Sequence, residues 1–155
     1  MTDLLPLLQA FYREKLTMML RHQAAARLVG QYDINNTYQY IINREEVQLS
    51  WLATAIADFG GTVTDEPEPT RKVSGKGAEA ARAILQEDVA DAQAFVDRWQ
   101  LRVEAMSNAR HRGMLRVILG ETLEQKRFFE QALAGRRAEQ LGPSYGEVLP
   151  SRWIE

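Results

Sequence analysis

A chain of 155 residues, 45% of them hydrophobic, has the size of one ordinary globular domain with a single sizeable core, so residues 1–155 are read as one domain. With 19 Lys and Arg against 21 Asp and Glu, the formal charge of −2 leaves no basic excess to neutralise phosphates, which sets nucleic acid aside as a partner. Zero cysteines exclude disulfides, thiolate nucleophiles and cysteine-ligated metal centres, and fit a cytoplasmic location.

The first element is expected from about residue 3 to residue 28. Asp3 is placed to cap it, Pro6 falls in its first turns, and Gly30 follows its end. Its opening "LLPLLQAF" is apolar, but no basic run precedes it and Arg13, Glu14 and Lys15 interrupt it too early for a signal peptide or a membrane span. A second helix is expected over 33–59, opening near Asp33 or Asn35 and stopped by the Gly60-Gly61 pair. A third covers 78–106, and a fourth, starting from Ser107 or Asn108, covers 108–134. No segment carries the alternation of a strand.

Loop lengths then order these helices. "GQYD" and the residues around Ser107-Asn108 are short enough to make antiparallel hairpins of helices 1–2 and 3–4. The middle connection, 60–77, contains "GTVTDEPEPTRKVSGKG", with two prolines, and is far too long for a hairpin turn. Short, long, short is the pattern of an all-α four-helix bundle with one crossover. Residues 135–155 carry Tyr145, Val148, Leu149, Trp153 and Ile154 among prolines, and read as a C-terminal strap over the bundle or an oligomer contact.

Placing residues at 100° steps shows which polar side chains face the core. In helix 2, Ile34, Tyr38, Ile41, Leu49, Leu52, Ile56 and Phe59 form a stripe with Glu45 at its centre and Gln48 inside its edge. In helix 3, Asp88 lies near the centre of Ile84, Leu85, Phe95, Trp99, Val103 and Met106, with Asp91 and Arg102 toward one edge. In helix 4 the expected face is Met114, Val117, Ile118, Phe128 and Ala132, with Gln125 central and Glu121 close to it. Helix 1 aims a cation inward instead: Lys15 joins Leu5, Leu8, Phe11, Tyr12, Leu16 and Met19, His22 sits nearer the edge, and Glu14 points to the polar side. Counted from the turns, Lys15 is level with Glu45, and Asp88 with Glu121 and Gln125.

Glu45-x-x-Gln48 followed by Trp51-Leu52 resembles the metal-binding helix of the ferritin-like superfamily, which includes bacterioferritins and rubrerythrins; the likeness spans the four helices. "ETLEQKRFFEQAL" in helix 4 lines up with "REEVQLSWLATAI" in helix 2 when Gln125 is matched to Gln48. The resemblance implies a dinuclear iron or manganese site built from one Glu on each of two helices and a Glu-x-x-His on each of the other two. Carried onto this chain, it makes Glu45, Asp88, Glu121, Gln48 and Gln125 the metal-site positions. Glutamine stands at both histidine positions, the register puts Thr122 at the helix-4 glutamate, and helix 1 offers Lys15 or the poorly aimed Glu14. A neutral amide oxygen ligates iron or manganese far more weakly than imidazole. His22 lies seven residues, roughly 10 Å, along helix 1 from Lys15, and His111 is in the first turn of helix 4, so neither is expected to restore the site.

Two readings follow. In the first, the protein is a ferritin-like bundle with a degenerate metal site and no cofactor, its core carboxylates neutralised by Lys15 with help from Arg102, acting by binding or assembly and not as an enzyme. In the alternative, it is a carboxylate-bridged dinuclear or mononuclear iron or manganese oxidase or oxygenase. The apolar helix faces and the tail also point to a homodimer, with no membrane partner.

Overall fold

The computed structural model describes residues 4–65, 70–72 and 75–135. Among these there are four α-helices and no strand: α1 (Leu4–Leu28), α2 (Tyr32–Asp58), α3 (Gly77–Glu104) and α4 (Ala109–Leu133). The expected C-terminal strap, with Tyr145, Val148, Leu149, Trp153 and Ile154, lies outside the described residues. The chain divides into two compact units, Met1–Ile84 and Leu85–Glu155, with the boundary inside α3.

In the first unit α1 and α2 pack along one another. Three residues separate them, and the Asn35 side chain ties the turn by donating to the Ala26 carbonyl at 2.6 Å. Leu8 and Phe11 of α1 and Tyr38, Ile41, Leu52 and Ile56 of α2 are fully buried, at about 1.5–3 kcal/mol for a large apolar side chain. The periodicity thus becomes a hairpin because neither apolar stripe can leave water without the other. The edges of the expected stripe are looser: Phe59 is exposed and Ile34 half-buried.

Two glycines end α2. Gly60 takes a positive φ of 78°, its N–H bonds to the Ala57 carbonyl, and the Gly61 N–H reaches back to Ile56, which together close the last turn. Gly61 then lets the chain press on α1, since a Cβ there would stand 2.6 Å from Leu5 Cδ1. Two described residues of the connection are bonded to α1. Gln9 Nε2 donates to the Thr62 carbonyl at 3.0 Å, and Arg71, itself buried, donates to the Arg21 carbonyl at 3.0 Å. Gln9 and Arg21 are more than three helical turns apart, so Thr62 and Arg71 are anchored roughly 18 Å apart along α1. The Tyr12 hydroxyl lies where this segment starts; burial and then the neighbouring Asp65 carboxylate push its pKa up.

The second unit holds α3 from Leu85 onward and α4. Asn108 caps α4, its side chain accepting from the His111 N–H at 3.0 Å. Arg112 donates to the Met106 carbonyl and Arg116 pairs with Glu104, so both sides of the short turn are held. Phe95, Trp99 and Val103 of α3 and Leu115, Ile118 and Phe129 of α4 are fully buried. The face of α4 differs from the expected one. Leu115, Leu119, Thr122 and Phe129 take the interior with Ile118 and Gln125, while Val117 is 49% exposed and Phe128 only half-buried. At 100° per residue this is a rotation of roughly 80°. Averaging Met114, Val117 and Phe128 into the stripe had pulled its centre away from Leu115, Leu119 and Phe129.

Candidate functional site: a buried carboxylate held by an amine and an imidazole

Glu45 is the centre of the first unit's polar core. It comes from the middle of α2, is 0% exposed, and is flanked along its helix by the buried Ile41, Ile42, Gln48 and Leu49. A lone carboxylate there would cost several kcal/mol in lost hydration. Two side chains of α1 meet it. Lys15, also 0% exposed, places Nζ 3.1 Å from Oε2, and His22 places Nδ1 2.9 Å from Oε1. The His22 ring is in turn 6.0 Å, centroid to centroid, from that of Tyr38.

Burial pushes the Glu45 carboxyl up, but the His22 ring and the Lys15 ammonium, by charge and by hydrogen bonding, together outweigh it and hold the group below its ordinary 4.5. Glu45 is therefore ionised through the neutral range. Each of its oxygens is engaged by a group of the same chain.

Sequence reasoning placed Lys15 beside Glu45 but dismissed His22 on distance along the helix. The dismissal counted Cα levels and left out side-chain direction. Cα–Cβ bonds tilt toward a helix's N-terminus, so in an antiparallel hairpin His22 leans away from the turn while Glu45 leans toward it. They converge across the level difference, and the four-carbon stem of Lys15 reaches the same carboxylate from the other side. The tilt was a readable signal.

The other expected positions fall as follows. Gln48 is fully buried in the first unit. Asp88, 1% exposed, Thr122, 0%, and Gln125, 3%, are interior residues of the second unit. Glu121 is only half-buried, because the rotation of α4 turns Thr122 inward in its place; the Thr122 hydroxyl donates to the Ile118 carbonyl at 2.8 Å. Glu14 is also half-buried. Arg102 is no core counter-charge: it is exposed and lies over the Trp99 ring at 4.0 Å from the centroid, a cation-π contact that caps the buried indole. His111 is buried at the start of α4.

What the Glu45 cluster can do chemically follows from its donors. A bridging carboxylate must turn both oxygens toward cations, and here one faces an ammonium and the other an imidazole nitrogen. Among the described residues no three His, Asp or Glu side chains are grouped closely enough to hold a metal ion. In this arrangement both Glu45 oxygens are turned to an amine and an imidazole of α1.

In comparisons with known proteins, no family model, no curated protein and no solved structure matches the chain. No helix among the described residues is long and apolar enough to cross a membrane.

Proposed function

We propose that this chain is a ferritin-like bundle whose metal position has been taken over by its own cation, so that Lys15, seconded by His22, balances Glu45 internally and the protein acts by binding or assembly. The observation that carries this reading is the engagement of both Glu45 oxygens, at 3.1 and 2.9 Å, by side chains of α1. It is supported by Gln48 and Gln125 at the two positions where imidazoles would complete a ligand set, both buried and both weaker ligands. The ferritin-like crossover is supported by the connection after α2, which bonds to Gln9 and then to Arg21 and so returns along α1 instead of turning directly into α3. An up-and-down bundle has no use for such a path.

The competing reading, an iron or manganese oxidase or oxygenase using Glu45, Asp88, Glu121, Gln48 and Gln125, requires Lys15 to be displaced from Glu45 and left in the core. That exchange costs several kcal/mol before any metal bond is counted. Protein purified under reducing conditions, incubated anaerobically with excess Fe(II) or Mn(II), and desalted is expected to retain metal far below one ion per chain. Stoichiometric metal with oxygen consumption on exposure to air would overturn the proposal. Assembly is tested separately: a homodimer is expected by sedimentation velocity at micromolar concentration, and a clean monomer there rules it out.

A further inference from the structure

Gln125 presents a problem that the Glu45 cluster does not solve. It lies in the middle of α4, is 3% exposed, and neither its amide oxygen nor its amide nitrogen has a hydrogen-bond partner among the described residues. A side-chain amide offers two N–H donors and a carbonyl acceptor, and folded proteins very rarely bury one unmet. Leucine or methionine would fill the same volume with no polar group to satisfy.

The surroundings of the amide are partly apolar and partly polar. Phe129, one turn onward, is fully buried and closes one side. Thr122, one turn earlier on the same face, brings a buried hydroxyl. Asp88 stands 16 residues before Glu104 at the end of α3, and Gln125 stands 16 residues after Ala109 at the start of α4. Across the short turn the two are therefore at one level of the second unit, and Asp88 is as deeply buried as Gln125. A carboxylate can accept several hydrogen bonds at once. Three polar side chains thus share one stratum, and a buried water needs two to four such partners.

We propose that Gln125 is the anchor of an internal water site in the second unit: at least one water accepts from its Nε2 or donates to its Oε1 and joins it to the Thr122 and Asp88 stratum. Water fits because it both donates and accepts, as the amide requires, and because it adds no charge beside Asp88. The site lies outside the Glu45 cluster and does not depend on the ferritin-like reading. It also gives the glutamine a role of its own: a hydrated amide links the buried polar groups of α3 and α4 at one level of an otherwise apolar core.

The full-length protein and the Gln125→Met variant are compared by oxygen-17 magnetic relaxation dispersion, with circular dichroism to show that the variant keeps its helices. The wild type is expected to hold at least one long-lived internal water more than the variant. Equal numbers in two folded proteins would overturn the proposal. A crystal structure of the wild type decides independently, including where the variant does not fold. A water oxygen within hydrogen-bond distance of the Gln125 amide supports the site. A protein group bonded there, or a cation identified by short coordination distances and anomalous scattering, refutes it.

Discussion

Lys15→Met is expected to lower the free energy of unfolding by about 3–5 kcal/mol, read from urea denaturation at pH 7. Methionine keeps most of the length and all of the apolar stem, so the loss reports the missing ammonium and not a cavity. What remains is Glu45, ionised in a core from which water is excluded, with only the His22 bond on Oε1 to hold it. Removing one member of a buried pair costs far more than the pair contributes, because the survivor keeps its desolvation penalty. Removing both members is therefore the sharper experiment. Lys15→Met combined with Glu45→Leu is expected to recover most of the loss, so that the double variant is more stable than either single one. Additive losses in that cycle would mean that the 3.1 Å contact is incidental. Little change in Lys15→Met alone would sink the proposal that the amine replaces a metal, since the carboxylate would then need no counter-charge.

Much of this cluster was legible because the hairpin is so regular. Stripe analysis put Glu45 among Tyr38, Ile41, Leu49 and Leu52, and the Lys15 and Glu45 levels coincide when counted from the turn at residues 29–31. His22 was missed because residue counting treats side chains as perpendicular to the helix, whereas the tilts of two antiparallel partners, added to the lengths of the side chains, close the difference in level. In α4 the error was different. Its apolar residues surround more than half the helix, so the centre of a stripe is poorly defined, and Val117 and Phe128 carried the same weight as Leu115 and Phe129. Burial separates them: Leu115 and Phe129 are fully enclosed while Val117 is half-exposed. Glu121 moved outward with that rotation and Thr122 moved in. Arg102 was misplaced for a related reason, because an edge position lets a long guanidinium turn outward and lie on Trp99 instead of entering the core.

The second large effect is expected in acid. The Glu45 carboxyl ionises below its ordinary 4.5 in the folded chain, the pull of His22 and Lys15 exceeding the push of burial. Between the folded and unfolded values the unfolded chain binds more protons, so stability falls as pH falls. The contribution is fully present above about 4.5, is lost as pH passes down through the folded value, and changes no further below it. Protonation there also removes the negative charge that the Lys15 ammonium faces at Oε2, so the acid loss and the loss in Lys15→Met report the same contact from its two sides. Unfolding free energies of wild type and Glu45→Gln, measured from pH 7 to pH 2, should accordingly converge toward the acid end. Glu104 is also held low, by its hydrogen bond to Arg116, but it is exposed and its pairing is screened by salt. Repeating the titration at high ionic strength removes that surface contribution and leaves the buried one. If the difference between wild type and Glu45→Gln stays constant across the range, Glu45 does not titrate against its α1 partners, and the charge balance at the centre of the first unit must be held by other groups.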